Sequence, residues 1–410
     1  MFGIQPWLAL VVASIGNCGF WLFCFNRVNA FGIPRPAAKL LEKVCITFCF
    51  AIPALVLSLN RSIVVSWIGS NSWLPELSSG TLTFWLAWSL LSVIVLGPLW
   101  LESRRWLIEP KHSLDCQTEV HNVHCQIPGG SAENFSTRCL SYVPLNEWGM
   151  LSVTRKRLLL PRSIPAADGL TIGHISDIHF TGQYRREHYD FVIDRFMELS
   201  PQMIIISGDI IDYAHCMSMI RSVLGRLTAP LGVHFVLGNH DRRLKIQPLV
   251  DELTSLGFHD LGFEDKQVTQ GSLSILLTGN ERPWFERHSE THLSETHHSE
   301  KQLSEGLLSG SLQSSVAQSL RIGVAHSPDQ IHWARRCKLD LMLAGHTHGG
   351  QARLPLIGPL VAPSLYGSKF ASGVFYLPPT LMHVSRGVAG THPLRWRCHP
   401  EVSLLTLVSG

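Results

Sequence analysis

The chain has 410 residues, enough for one large core with accessory segments. Charged residues make up only 16% and mean hydropathy is +0.15; against the roughly 25% charge of soluble domains, this deficit points to membrane segments. A net charge of +3 without a strongly basic block excludes nucleic acid as an implied partner.

Three apolar runs occupy about residues 3–25, 44–59 (with 68 as an alternative end) and 81–101. The first and third are long enough to cross about 30 Å of hydrocarbon, while the second is short. The first run lacks a basic n-region and a small-residue cleavage site, so it reads as a span and not as a signal peptide. Trp7, Trp85, Trp88 and Trp100 lie near run ends, where amphipathic rings suit the membrane interface. Basic residues set the orientation. Arg27, Arg35, Lys39 and Lys43 fill the first connection, Arg61 stands in the second, and Arg104, Arg105 and Lys111 follow the third run. The positive-inside rule predicts a multi-pass inner (cytoplasmic) membrane protein, with residues 1–105 as the transmembrane region and the rest facing the cytoplasm.

Residues 106–150 read as a polar linker without periodicity. Cys116, His121, His124 and Cys125 stand close together there, but their spacing matches no standard zinc finger. The ten cysteines are scattered and form no CxxC pair, which suits reduced thiols in a cytosol-facing protein. A disulfide among Cys116, Cys125 and Cys139 is the alternative.

From residue 170 short apolar runs alternate with amphipathic segments. "TIGHISDIHF" presents Asp177 and His179 two residues apart, on one face of a strand exit. A helix is expected over about residues 188–199, followed by the strand "MIIISGDIID" with Asp209. "GVHFVLGNHD" delivers Asn239, His240 and Asp241, "RIGVAHSP" delivers His326, and "LDLMLAGHTHGG" delivers His346 and His348. Five apolar strands thus place polar residues at their C-terminal ends, where ligands collect in α/β folds. Asp177, His179, Asp209, Asn239, His326, His346 and His348 are seven oxygen or nitrogen donors, a set that suits two divalent cations bridged by a carboxylate. Four imidazoles among the seven favour a transition metal, Mn2+ foremost with Fe or Zn as alternatives, over Ca2+.

Between residues 285 and 318 the pattern breaks. Ser-Glu recurs at 289, 294, 299 and 304, a period of five that fits neither helix nor strand. A solvated low-complexity loop near the site is expected; the alternative is a metal-recruiting tract of His288, His292, His297 and His298.

With "SDIH", "GDIID", "GNHD", "AHSP" and "GHTH" in this order, the chain resembles the calcineurin-like metallophosphoesterases over about residues 153–407. The ending "GHTHGGQ", the "VSRG" at residues 384–387 and the final "PEVSLLTL" are most similar to a bacterial branch of membrane-attached phosphodiesterases. That branch includes a UDP-2,3-diacylglucosamine pyrophosphatase of lipid A synthesis. The resemblance implies an α/β fold over residues 151–410, a β-sandwich flanked by helices in four α/β/β/α layers. It implies one metal on Asp177, His179, Asp209 and His348, and a second on Asp209, Asn239, His326 and His346. His240 would be the catalytic imidazole and Asp241 its orienting carboxylate, with Asp212 either a further partner or a helix cap. The implied reaction is in-line attack of metal-activated hydroxide on phosphorus. Arg386 is a phosphate contact or a surface residue. The implied partners are the bilayer and a phospholipid-like or nucleotide-diphospho-lipid substrate, with no obligate protein partner. Residues 354–367 form an apolar stretch suited to acyl chains or to the membrane interface. A non-catalytic scaffold has no need of the whole donor set, and a transporter reading finds no ionisable pathway in the spans.

Overall fold

The computed structural model describes residues 4–70, 72–75, 79–105, 112–286 and 319–410. The insertion expected at 285–318 lies outside the described residues from 287 onward.

Helices α1 (Ile4–Val28), α2 (Arg35–Leu59), α3 (Arg61–Ile68) and α4 (Gly80–Arg105) fall in one compact unit, to which Leu365–Lys369 also belongs. Among the described residues three helices are long and apolar enough to cross a membrane: Ile4–Val28, Arg35–Leu59 and Gly80–Ser103, with mean hydropathy 2.0, 2.1 and 1.9. The second apolar run is therefore longer than its sequence suggested. α2 begins at Arg35 behind Pro34, with Pro36 in its first turn, where a fixed φ and a missing N–H cost nothing. Ile4, Phe50, Leu59, Phe84 and Ile94 are exposed, an outward apolar surface that hydrocarbon would cover. Where helices meet, small and polar residues do the packing. A Cβ on Gly16 of α1 would lie 2.0 Å from the Ser89 carbonyl oxygen of α4. Asn17 Nδ2 donates to the Phe48 and Cys49 carbonyls of α2, both at 3.2 Å.

The second unit holds two main sheets. The first has the order β1 (Ser113–Asn122), β2 (Met150–Leu159), β15 (Glu401–Val408), β3 (Thr171–Ile175), β4 (Met203–Ser207), β5 (Val233–Val236), β6 (His259–Asp260). The second has the order β13 (Gly373–Leu377), β14 (Thr380–Val384), β10 (Leu341–Ala344), β9 (Ser319–Ala325), β8 (Leu273–Asn280), β7 (Lys266–Gln270). A small hairpin pairs β11 (Arg353–Leu354) with β12 (Gly358–Pro359). Alternation along β4 sorts the layers. Met203 and Ile205 join Val236, Ile275, Ile322 and Leu341 in the core between the sheets. Ile204 and Ile206 pack instead with Tyr189, Val192 and Phe196 of the helix Arg186–Met197 and with Leu249 and Leu253 of the helix Ile246–Ser255. On the second sheet the helix Ile331–Arg336 brings Trp333 against Gly323 of β9. The result is the mixed α/β fold expected, two sheets flanked by helices.

β1 lies within the segment read as linker. It pairs antiparallel with β2, from Ser113 opposite Leu158 to Asn122 opposite Met150. As an edge strand with mostly exposed side chains it leaves no apolar alternation in the sequence. β3, β4 and β5 run parallel, as do β9 and β10, so each sheet sends its loops out at the carboxyl ends of its strands.

Candidate metal centre

Each site residue sits just beyond a buried strand, and the backbone there turns sharply. Asp177, His179, Asp209, His346 and His348 all have positive φ, between 50° and 70°. For residues with a Cβ this left-handed region is sparsely populated and costs about 1–3 kcal/mol each, so the surrounding structure must impose it. It does so by main-chain bonds between loops. The Asp177 amide donates to the Gly208 carbonyl and the His179 amide to the Asp209 carbonyl, both at 3.0 Å. The His346 amide donates to the Asp177 carboxylate at 3.1 Å, and the Ala389 amide to the Asp177 carbonyl at 2.9 Å.

These turns aim the donors at two points. Asp177, His179, Asp209 and His348 bring their ligand atoms within 4.8 Å of one another, and so do Asp209, His326 and His346. Asp209 belongs to both of these groups, and His179 also belongs to a third, with Asp212 and His240. Asp209 Oδ2 is 3.6 Å from His179 Nε2 and 3.2 Å from His326 Nε2. His348 Nε2 lies 3.3 Å from His179 Nε2 and 3.4 Å from Asp177 Oδ1.

The far ring nitrogens are engaged. His179 Nδ1 pairs with Asp212 Oδ2 at 2.7 Å, His326 Nδ1 with the Ser207 carbonyl at 2.7 Å, and His348 Nδ1 with the Ala389 carbonyl at 3.1 Å. An acceptor on Nδ1 fixes the tautomer and leaves the Nε2 lone pair facing the centre, as in metal-binding histidines. Nε2 of His346 and Oδ1 of Asn239 are buried without any hydrogen-bond partner. Buried orphan acceptors converging beside two carboxylates fit divalent cations held by nitrogen and oxygen.

Electrostatics agree. Burial opposes charge on Asp209, but His326 and His240 outweigh it and hold the carboxyl well below its ordinary range. Burial would lower His326, yet the Asp209 carboxylate raises it to about 9. Burial takes His348 down to about 3, and burial with the His326 charge pushes His346 well below its ordinary value. Burial would also lower His179, yet Asp212 and Asp209 raise it, so His346 and His348 are held towards the neutral form with lone pairs available while His326 and His179 are held towards the charged form that a divalent ion would replace.

The structure corrects one assignment. Asp241 does not orient His240: its Oδ1 accepts the Ile210 and Ile211 amides at 2.9 Å and its Oδ2 the Gly238 amide at 2.8 Å. It ties the Asp209 loop to the Asn239 loop. The carboxylate that orients His240 is Asp212, whose Oδ1 meets His240 Nδ1 at 2.5 Å. The other Asp212 oxygen serves His179, so one carboxylate sets both rings. The spacing in "GDIID", three residues after Asp209, was the available signal. Arg386 is neither a plain surface residue nor shown on a phosphate: its Nε bonds Glu401 Oε2 at 2.9 Å in a mostly buried pair. Two neighbours of the centre had not been singled out. Trp284 packs its ring 4.8 Å from His346 and 5.4 Å from His326, in "GNERPWF" between β8 and the insertion. Arg395, 2% exposed, donates to the carbonyls of His348, Arg386 and Ala389 and so fixes the His348 turn. No sequence pattern marks it. Among the described residues Cys116, His121, His124 and Cys125 join no donor group, His124 Nδ1 instead accepting the Ser131 amide at 3.1 Å. All ten cysteines are free thiols.

Residues 170–350 match the family described as calcineurin-like phosphoesterase. An uncharacterized metallophosphoesterase of Bacillus subtilis, YkuE, is 29% identical over 62% of this chain and 84% of its own length. The phosphodiesterase YaeI of Escherichia coli is 28% identical over 65% of this chain and 92% of its own. The UDP-2,3-diacylglucosamine pyrophosphatase LpxG of Chlamydia muridarum is 25% identical over 63% of this chain and 90% of its own.

Proposed function

We propose, from the premise that this chain carries a calcineurin-like metallophosphoesterase domain and is a metal-dependent hydrolase of phosphoester bonds, that it cleaves the phosphodiester or pyrophosphate bond of a lipid-linked substrate at the cytoplasmic face of the inner membrane. The observation that carries the reading is the place of Asp209 in both donor groups. Asp177, His179, Asp209 and His348 would hold one divalent ion, and Asp209, Asn239, His326 and His346 the other, with Mn2+ the first choice for a set rich in imidazole. Bound there, such ions lower the pKa of water and draw charge from phosphoryl oxygens. His240, held by Asp212, would face the leaving oxygen with its Nε2 and give it a proton. Asp212 keeps His179 and His240 in register, and Asp241 holds the two loops that carry Asp209 and Asn239 at a fixed separation.

Two features support a lipid-linked substrate. Three of the described helices are long and apolar enough to cross a membrane, which would tether the domain to a bilayer, and the β11–β12 hairpin carries an apolar tip. Leu356 is fully exposed, and Ile357 and Val361 are exposed beside it. The hairpin base is fastened to the His348 turn by Arg353 Nε donating to the Gly349 carbonyl at 2.9 Å. UDP-2,3-diacylglucosamine, on which LpxG acts by its name, is the leading candidate. The test is competition in detergent micelles between that lipid and bis-p-nitrophenyl phosphate, with Mn2+ present. A higher kcat/KM for the lipid is expected. An equal or lower value would leave a phosphodiesterase of soluble substrates.

A further inference from the structure

One contact of the site is at odds with the role just given to His240. Asp212 receives three donors: His179 Nδ1 on Oδ2, and His240 Nδ1 with Arg243 Nη1 on Oδ1. The second terminal nitrogen of Arg243, Nη2, lies 3.1 Å from His240 Nε2. A guanidinium has donors only, so His240 Nε2 must accept with its lone pair. The ring proton then sits on Nδ1, given to Asp212. Arg243 therefore covers the atom that the reaction needs turned towards the leaving oxygen.

The position of Arg243 is consistent with a group that moves. It closes the short turn Asp241–Arg243 directly after the Asn239–His240 pair. Its side chain is 13% exposed, in contrast to the fully buried Asp212 it touches. The His240 Nε2 that it touches lies 3.9 Å from Oδ2 of Asp209, the carboxylate common to two donor groups. A phosphate oxygen is a far stronger partner for a guanidinium than a neutral imidazole nitrogen, being charged and able to accept two parallel bonds.

Resting on the phosphoesterase reading, we propose that Arg243 is the substrate-binding residue that grips the phosphate. It exchanges His240 Nε2 for a non-bridging oxygen of the phosphoester, while Nη1 stays on Asp212. Substrate entry then frees the His240 Nε2 lone pair in the same movement that anchors the anion, and the ring gives the leaving oxygen a proton only after Nε2 has taken one up from solvent. The ligand class is an anionic phosphodiester or diphosphate, and inorganic phosphate is its smallest probe.

The test uses the full chain in detergent, loaded with Mn2+, as wild type, Arg243→Gln and Arg243→Lys. Metal content is read by elemental analysis, phosphate binding by calorimetry, and KM and kcat with bis-p-nitrophenyl phosphate. Arg243→Gln should weaken phosphate binding and raise KM roughly ten- to hundredfold, the range for a lost bond between charged partners, with metal content unchanged. Arg243→Lys keeps the charge without the fork and should fall between, and it decides the matter if Arg243→Gln loses its metals. Phosphate affinity equal to wild type in the metal-loaded variants would overturn the proposal. A fall in kcat alone, with phosphate affinity unchanged, would also overturn it and leave Arg243 as a prop for Asp212. Failure of the wild type itself to hydrolyse any phosphoester would instead refute the underlying phosphoesterase reading.

Discussion

Adding one methyl group at Gly238 should disable the centre without replacing any donor. Gly238 precedes Asn239 and its backbone is not left-handed, so alanine meets no conformational strain there. It meets Asp209 instead. An added Cβ would lie 2.2 Å from Asp209 Oδ1 and 2.5 Å from the Asp209 amide nitrogen, where ordinary contact begins at 3.4 Å. The carboxylate must retreat by about 1 Å, and a misplacement of that size costs on the order of 10²-fold in rate. The retreat also breaks the 2.7 Å bond from the His240 amide to Asp209 Oδ1. Overpacking of this kind destabilises by about 1–3 kcal/mol, so the chain should still fold. Metal content by elemental analysis and hydrolysis of bis-p-nitrophenyl phosphate are the readouts. Gly169→Ala is the control, since Gly169 has φ of 79° with nothing within 4 Å of its added Cβ. That variant should lose about 1–2 kcal/mol to strain and keep its metals and rate. A Gly238→Ala protein with two metals and wild-type turnover would refute the reasoning.

His240→Ala should keep both metals and lose about 10²–10⁴-fold in kcat, the usual share of a general acid; loss of metal in this variant would make His240 a ligand. Glu401→Gln should destabilise by about 3–5 kcal/mol at pH 7, because it leaves Lys156 at 2.7 Å and Arg386 at 2.9 Å as buried cations without their carboxylate. Burial opposes charge on Glu401, but Arg386 and Lys156 hold its carboxyl well below 4.5. With the folded value depressed, this stabilisation is present above pH 4.5 and is lost as pH falls below it. The gap in apparent Tm between wild type and Glu401→Gln should therefore narrow from pH 7 to pH 4, and a constant gap would contradict the assignment. A reporter fused after Gly410 should behave as cytosolic and one inserted at Trp73 as external; the reverse would overturn the topology drawn from the basic residues.

The residues that cluster at the candidate centre were legible because each follows a local pattern, an apolar strand that ends in polar residues flanked by Gly or Ser. Strand, turn and ligand are neighbours in sequence, so Asp177 with His179 or His346 with His348 can be read without the fold. Partners were less legible, since these are decided across the sheets. Asp241 and Asp212 stand one and 28 positions from His240, and only the folded loops show that the distant carboxylate takes the imidazole while the adjacent one takes main-chain amides. Arg386 pairs with Glu401 of β15, 15 positions away, for the same reason. β1 was missed because an exposed edge strand carries no apolar period. The left-handed backbone at five of the seven donors has no sequence signature at all, since it is imposed by bonds between loops and not by residue type.

Metal stoichiometry of the wild type against Asp209→Ala tests the central claim most directly. Asp209 is shared by the two donor groups, so the wild type should hold two divalent ions per chain and Asp209→Ala neither. Two ions retained in Asp209→Ala would contradict a centre built around a bridging carboxylate.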